Sequence, residues 1–154
     1  MSMKLSDNGF KFLCNEEGKK NSIYDDATGK YLKKHEKAKG NPTIGIGHLI
    51  ITSELFPYFP EKLTDTQVYD LFKKDLVKYE TAVNKLISVK ITQNQYDALV
   101  SLCFNIGING FTGSTVLRLL NKNDYKGATE AFLLWFNPGL LNRRIREKTL
   151  FLKM

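Results

Sequence analysis

The sequence has few of the residues that build disulfide scaffolds and metal centres. Among its 154 residues are two cysteines and two histidines, and neither histidine has a Cys or His partner at ligand spacing. Because a single disulfide is rarely needed in a domain of this size, we expect Cys14 and Cys103 to be buried thiols in a reducing compartment. The composition therefore predicts neither a metal nor a cofactor.

Long apolar runs are missing as well. The first residues carry no apolar signal core, and no run in the chain approaches the length of a membrane span. We therefore expect a chain that is made in the cytoplasm without a signal peptide or a membrane anchor, and that does not insert stably into membranes. Nothing in the sequence indicates more than a monomer.

What the chain does have is positive charge. Its formal net charge is +7, while a hydrophobic content of 42% fits one ordinary globular domain. A basic surface predicts an anionic partner, and nucleic acid, anionic membranes and bacterial wall polymers would all fit. We expect no nucleic-acid partner, because the sequence lacks RNA-recognition runs, zinc-finger spacing and heptads behind a basic region.

Local signals predict an α+β fold with more helix than strand. A first helix at 6–17 ends at Gly18, and capping boxes at 64–67 and 92–95 begin two longer helices. The helix after residue 92 is apolar nearly all round, which is typical of the centre of a helical lobe. Residues 22–51 are the only strand-rich part of the sequence.

Two acidic residues flank the beginning of this strand-rich part. Glu17 ends the apolar stripe of the first helix, where burial and the helix dipole would both favour a protonated carboxyl. Asp26 lies nine positions later in a turn, where we expect it to be solvated and ionised. Such a pair suits glycoside cleavage, in which one carboxyl donates a proton and the other activates water or attacks carbon. Solvated loop carboxylates without a catalytic role fit the same spacing.

Short motifs that resemble one known family lie along nearly the whole chain, from about residue 6 to residue 154. They are Glu17-Gly18, Tyr24, Asp26 and Gly29, the TIGIGH run at 43–48, the YDALVS run at 96–101 with FNIG at 104–107, Gly110-Phe111, Ser114-Thr115, Trp135, the GLLNRR run at 139–144, and Glu147. In this order they resemble the phage-type lysozymes, the endolysins of glycoside hydrolase family 24.

The resemblance implies a single lysozyme-like α+β domain over residues 1–154. A strand-containing lobe would cover about 18–60, and a helical lobe about 61–154 together with the first helix, with the active cleft between them. The implied activity is hydrolysis of the β-1,4 bonds between N-acetylmuramic acid and N-acetylglucosamine in bacterial peptidoglycan, by an inverting mechanism. Glu17 would be the general acid and Asp26 the general base, helped by the hydroxyl of Thr43. A holin or another delivery system would bring the enzyme from the host cytoplasm to the wall.

Supporting roles follow from the same resemblance. Tyr24 and Asn105 would contact the substrate, with Asn105 binding an N-acetyl group. From its position alone, Asn105 could equally cap the last carbonyls of its helix. His48 should pair with Asp75 and so tie the two lobes together, which is a structural role rather than a catalytic one.

Arginines crowd the first half of the last predicted helix. Arg143, Arg144 or Arg146 could reach Glu17 from across the cleft and hold its carboxyl in place, which would oppose the effect of burial. Alternatively, these arginines form a solvated basic helix face. The sequence does not decide between the two interpretations.

One stretch departs from the family pattern. Asp26 and Thr43 are normally a short turn apart, but here 17 positions separate them, and the additional stretch is about residues 31–41. Lysine-rich loops of this kind are usually solvated hairpin tips, while the alternative is a basic flap that grips acidic wall polymer. The insertion leaves open whether Thr43 still lies beside Asp26, and it makes Asp25 the alternative base.

Three other functions fit parts of the pattern. A lytic transglycosylase would cut the same bond with the acid alone, and a non-catalytic peptidoglycan-binding module would keep the fold without the reaction. A basic helical nucleic-acid binder would use only the charge. Asp26 argues against the first, the set of Glu17, Asp26 and Thr43 against the second, and the missing motifs against the third.

Overall fold

Helices and one small antiparallel sheet make up the chain in a computed structural model, which describes residues 2–33, 36–50 and 62–154. This arrangement confirms the predicted α+β class. In chain order the elements are α1 (Asp7–Glu17), β1 (Lys20–Asp25), β2 (Pro42–Gly45), β3 (His48–Leu49), α2 (Asp65–Leu86), α3 (Gln93–Ile106), α4 (Ile108–Thr112), α5 (Thr115–Asn121), α6 (Tyr125–Ala131), a 3₁₀ turn (Phe132–Leu134) and α7 (Leu141–Leu152).

Contacts within the chain divide it into two units. The helical unit is Met1–Glu16 with Leu76–Met154, and the sheet unit is Glu17–Asp75. The sheet unit therefore takes in the first half of α2 as well as the three strands. The predicted lobe boundary near residue 60 falls within residues 51–61, which lie outside the described part of the chain.

The helical unit is built around α3. A capping box at Thr92 and Gln95 begins this helix as predicted, and Gly107, at φ 87°, ends it. Eight consecutive residues of α3, from 96 to 103, are buried, which fits a helix that is apolar nearly all round. Within the described ranges, no helix is both long enough and apolar enough to cross a membrane.

The sheet unit pairs three short strands in the order β1-β2-β3, and both pairings are antiparallel. Tyr24 lies opposite Thr43, and Asp25 lies opposite Pro42. Ile23 and Ile44 are buried on this sheet, as are Val68 and Phe72 on α2. Gly45, at φ 69°, approaches Val68 so closely that a Cβ atom there would lie 3.4 Å from Val68 Cγ1. The end of β2 is therefore fixed between the sheet and α2.

The two cysteines are not joined in a disulfide, and they differ in burial. Cys103 is buried as predicted, and burial raises the pKa of its thiol to about 12. Cys14 is only partly buried, so the prediction of a second buried thiol is wrong. It lies on α1, a surface helix with one mainly apolar face, which leaves this position half exposed.

A buried aspartate in α3 anchors the start of α1. Asp97 Oδ1 accepts hydrogen bonds from the backbone N–H of Ser6, at 3.1 Å, and from Gln93 Nε2, at 2.8 Å, and Oδ2 accepts one from the Ser6 hydroxyl. Ser6 Oγ also accepts a hydrogen bond from Gly9 N–H at 2.9 Å, so Ser6 caps the helix. Gly9 is buried directly against Asp97, and a Cβ atom there would lie 2.7 Å from both carboxylate oxygens.

We expect Gly9→Ala to destabilise the protein by about 1–3 kcal/mol, because a buried and hydrogen-bonded Asp97 cannot move away from the added methyl group. Urea denaturation would measure this loss. The matched control is Gly113→Ala, where the nearest atom to a new Cβ is Asn109 O at 3.8 Å and the free energy of unfolding should change by less than about 1 kcal/mol. Equal losses in the two variants would contradict the anchoring role.

Candidate active site

The three candidate catalytic residues all lie in the sheet unit, at the ends of its elements. Glu17 is the last residue of α1, and Gly18, at φ 68°, turns the chain from there towards β1. Asp26 directly follows β1, and Thr43 lies in β2. Short elements thus bring residues that are distant in sequence into one small unit.

Glu17 is exposed, so the predicted burial of this carboxylate is wrong. The reason is that α1 ends at this residue, and its fully buried apolar position, Leu13, lies one turn earlier. The neighbouring Glu16 is the shielded one, because its side chain is only 7% exposed and forms a two-point ion pair with Arg146, at 2.5 and 2.7 Å. Glu16 is thereby committed to Arg146, and Glu17 is the carboxyl that a ligand could approach.

Asp26 is exposed, as the sequence predicted for a residue in a turn. Its Oδ1 accepts a hydrogen bond from the backbone N–H of Asn41 at 2.7 Å, and its Oδ2 accepts one from Asn41 Nδ2 at 3.2 Å. Its own N–H donates to Asn41 O at 3.1 Å. The carboxylate is therefore solvated on one side and oriented by a single residue on the other.

Asp25 is buried and cannot easily serve as the alternative base. Its carboxylate accepts hydrogen bonds from the backbone N–H groups of Lys39 at 2.7 Å, Ala27 at 2.9 Å and Gly40 at 3.0 Å. Burial acts to raise the pKa of Asp25, but these three donors and the charge of Lys39 outweigh it and hold the pKa below its ordinary value. Side chains alternate across a strand, so the buried Ile23 was the signal that Asp25 would point inward.

Thr43 remains next to Asp26 in the backbone network despite the insertion. It is buried, and its hydroxyl donates to Asn41 O at 3.0 Å. The same carbonyl accepts the N–H of Asp26, so the two candidate catalytic residues share one acceptor. After an irregularity between Lys20 and Tyr24, β1 and β2 pair regularly, with Tyr24 opposite Thr43 and Asp25 opposite Pro42.

The pKa of Tyr24 is affected by both candidate carboxylates. Partial burial raises the pKa of its phenol, and the negative charges of Asp26 and Glu17 raise it further. The Nζ of Lys20 lies 4.8 Å from the centre of the Tyr24 ring and brings a positive charge to the same place.

His48 pairs with Asp75, the partner that the sequence predicted for it. His48 Nδ1 lies 2.8 Å from Asp75 Oδ2, and their side chains are 15% and 28% exposed. The pair joins β3 to α2 inside the sheet unit. A structural role for it stays a prediction.

The predicted supporting arginines lie in a buried network of the helical unit. Arg144 Nη1 lies 2.5 Å from Glu147 Oε1, its Nε donates to Trp135 O at 2.9 Å, and its Nη2 donates to Asn105 Oδ1. Arg143 Nε lies 3.3 Å from Glu147 Oε2. Burial raises the pKa of Glu147 and outweighs the opposing influence of Arg144, Ser101 and Arg143.

This network corrects one interpretation of the arginines. Arg143 and Arg144 are buried, so they are not part of a solvated basic face, whereas Arg146 is exposed and pairs with Glu16. Sequence reasoning missed this because arginine is usually a surface residue, and the signal was Glu147 at i+3 and i+4. Contact of either arginine with Glu17 stays a prediction.

Asn105 does not make the helix-capping contact that its position suggested. Its Oδ1 accepts from Arg144, and its Nδ2 makes no hydrogen bond to any residue within the described ranges. It does not cap the helix, because Gly107 provides the end through its N–H to Cys103 O. Binding of an N-acetyl group through the remaining amide N–H groups stays a prediction.

The inserted stretch has two parts with different roles. Tyr31, Lys33 and Lys37 are exposed, as expected for a solvated hairpin tip, while residues 34–35 lie outside the described part of the chain. The last residues of the stretch, Gly40 and Asn41, instead contact Asp25 and Asp26 through their backbone. Sequence reasoning did not single them out, and the only signal was Asn before Pro, which favours an extended backbone.

Comparisons with known proteins agree with one another. The chain matches the family model for phage lysozyme over residues 15–147. The endolysin of Salmonella phage P22 is 42% identical over 155 residues, covering 97% of this chain and 99% of the relative. A crystal structure of a P22 lysozyme mutant has a TM-score of 0.82 at 41% identity, covering 98% of this chain and 99% of that one. The muramidase domain of SpmX from Asticaccaulis excentricus has a TM-score of 0.79 at 33% identity, with the same coverage.

We expect the stabilising effect of Asp25 to depend on pH. Its pKa is depressed in the folded protein, so this stability is present above the ordinary value of about 3.9 and is lost as the pH falls through the folded value. Urea denaturation of Asp25→Asn should show a large loss against the native protein at pH 7 and a smaller one at pH 3. Asp70→Asn, which changes an exposed carboxylate, should differ little from the native protein at either pH. A pH-independent loss in Asp25→Asn would rule out this explanation.

We expect Glu147→Ala to cost about 3–5 kcal/mol, because it leaves two arginines buried without their shared carboxylate. The control is Glu130→Ala, which removes the partner of Lys148 in a pair at 3.0 Å whose glutamate is 62% exposed. That change should cost no more than about 1 kcal/mol. Chemical denaturation of both variants at pH 7 would measure the difference, and similar costs would contradict a buried network.

Proposed function

This chain belongs to the phage lysozyme family and is a lysozyme of the endolysin type, and we propose that Glu17 and Asp26 carry out its reaction as general acid and general base. The substrate is the glycan strand of bacterial peptidoglycan, and the bond cleaved is the β-1,4 bond between N-acetylmuramic acid and N-acetylglucosamine. The observation that carries the assignment is that Glu17 and Asp26 are both exposed carboxylates of one unit, with Asp26 held beside Thr43 by Asn41. Two carboxylates that flank one place are what glycoside hydrolysis requires.

Glu17 donates a proton to the glycosidic oxygen. It is exposed at the end of α1, so a glycan strand can reach it directly. When the strand binds, it excludes water from this carboxyl, and lost solvation favours the neutral acid that donation needs. The sequence predicted that the protein itself would bury the Glu17 carboxyl. In this proposal the bound substrate shields it from water instead.

Asp26 activates a water molecule on the opposite face of the sugar. Its exposure leaves the carboxylate open to water, while Asn41 fixes its orientation. The hydroxyl of Thr43 donates to Asn41 O, which leaves its oxygen able to accept a hydrogen bond from the same water. A reaction through this water inverts the anomeric carbon, and it requires the two carboxyls to be about 6.5–9.5 Å apart.

Other groups support binding of the strand. Tyr24 directly precedes the Asp25-Asp26 pair and lies opposite Thr43 in the sheet, and it contacts the sugar at the cleavage position in this proposal. Asn105 offers amide N–H groups to an N-acetyl carbonyl. The net charge of +7 favours approach to an anionic wall, and the protein acts there as a monomer after a holin or another delivery system has given it access.

The decisive variants are Glu17→Gln and Asp26→Asn, each of which keeps the shape of the side chain and removes its acid–base function. We expect each to lower the rate of glycan release by about 10²–10⁴-fold, with an unchanged melting temperature. Mass spectrometry of fragments released from purified wall measures the rate. Asp70→Asn, an exposed aspartate on α2, is the control and should retain full activity.

The fragments themselves distinguish the alternatives. Hydrolysis leaves a reducing N-acetylmuramic acid, and NMR of the fresh product should show the inverted anomer. Full activity in Asp26→Asn with anhydro-muramyl ends would instead identify a lytic transglycosylase. Wall binding without release by the native protein would identify a non-catalytic module, and an active Glu17→Gln would remove Glu17 from the mechanism.

A further inference from the structure

Asn41 directs its backbone N–H, its backbone carbonyl and its side-chain Nδ2 at Asp26 and Thr43. Its N–H and its Nδ2 donate to the two carboxylate oxygens of Asp26, at 2.7 and 3.2 Å. Its carbonyl oxygen accepts from the N–H of Asp26 at 3.1 Å and from the hydroxyl of Thr43 at 3.0 Å. Asn41 is exposed, yet its backbone and its side chain both bind the Asp26 carboxylate.

We propose that Asn41 is a positioning residue for the reaction, which orients the Asp26 carboxylate and the Thr43 hydroxyl towards one water molecule. This role rests on the proposed function, in which Asp26 is the general base. Asn41 does not touch the substrate or the reacting atoms. It acts through the direction of the two groups that do.

The backbone around Asn41 is built to hold it. Pro42 follows it and restricts Asn41 to an extended conformation, so the direction of its N–H is set before any ligand binds. Asp25, directly before Asp26, binds the N–H groups of Lys39 and Gly40 and so fixes the two residues that precede Asn41. The two neighbouring carboxylates thus have different roles. Asp25 binds the backbone of the loop, and Asn41 at the end of that loop binds Asp26.

Gly40 completes this arrangement. A Cβ atom at this position would collide with Asp26 Oδ1 and would lie 2.8 Å from Ala27 Cβ. The absence of a side chain therefore lets the loop backbone lie directly against the carboxylate. The insertion at 31–41 accordingly ends in a segment that contributes to the site, whatever its exposed lysines do.

The first test is steady-state kinetics of Asn41→Ala on purified wall. We expect kcat to fall about 10- to 100-fold, as for the loss of a hydrogen bond to a charged group, while KM changes less than about twofold. The acid limb of the pH–rate profile should move to higher pH, because a carboxylate that has lost a donor is protonated more readily. The other charged groups near Asp26, namely Glu17, Asp25 and Lys39, are unchanged in this variant. Asn8→Ala, an exposed asparagine of α1 with no side-chain hydrogen bond among the described residues, is the control and should match the native protein.

A second variant guards against a folding defect. Gly40→Ala keeps Asn41 but displaces the Asp26 carboxylate, so it should lower kcat in the same way. Its new methyl group also presses on Ala27, so we expect a lower melting temperature for Gly40→Ala and a native one for Asn41→Ala. Unaltered kcat and an unaltered acid limb in both variants would overturn the positioning role. Equal losses of kcat and melting temperature without a shift of the acid limb would overturn it too, because they would indicate a purely structural residue.

The double variant separates this inference from the function on which it rests. Added to Asp26→Asn, the change Asn41→Ala should cause no further loss of rate if Asn41 acts through Asp26. A further loss of full size would show that it acts elsewhere and would overturn the inference. If Asp26→Asn alone kept the native rate, the function assigned to Asp26 would fail first. An inactive Asp26→Asn with a fully active Asn41→Ala would refute only the role of Asn41.

Discussion

A single buried carboxylate, that of Asp25, holds together the segment on which the catalytic geometry depends. A carboxylate is costly to bury unless hydrogen-bond donors replace the water that it loses, and here three backbone N–H groups do so. Two of these donors come from the far end of the loop that follows Asp25. The hydrogen bonds that compensate the burial of Asp25 therefore also close the loop, and they place its last residue, Asn41, beside Asp26.

The same constraint is met in a different way in the helical unit. There the buried carboxylate is Glu147, and its partners are the side chains of Arg143, Arg144 and Ser101 rather than the backbone. Side-chain partners join separate helices, since Arg144 also reaches Asn105 on α3 and Trp135 O. Backbone partners shape one local segment. The side-chain network of Glu147 fixes the packing of the core. The backbone hydrogen bonds to Asp25 fix the direction of the exposed Asp26 side chain.

Sequence reasoning succeeded where a structure depends on neighbouring residues and failed where it depends on distant ones. The capping box at Thr92 and the end of α3 at Gly107 were predictable, because each is decided within one turn of helix. Pairing of His48 with Asp75 came only from the family resemblance. The exposure of Glu17 and the burial of Arg144 could not be predicted, because both depend on which segments pack nearby and not on the residue types.

The insertion shows why the distance between catalytic residues in sequence matters less than the register of the strands that carry them. A longer loop adds only a slowly growing entropic cost, about 0.6 kcal/mol for each doubling of its length. The pairing of Tyr24 with Thr43 determines where Thr43 lies, and this pairing does not depend on what connects the strands beyond Asp25 and Pro42. A longer loop additionally needs contacts that return its last residues to the start of β2 in a fixed position. Asp25 provides that return, and because it directly precedes Asp26, any loop that binds Asp25 is also brought to the carboxylate that we propose as the general base.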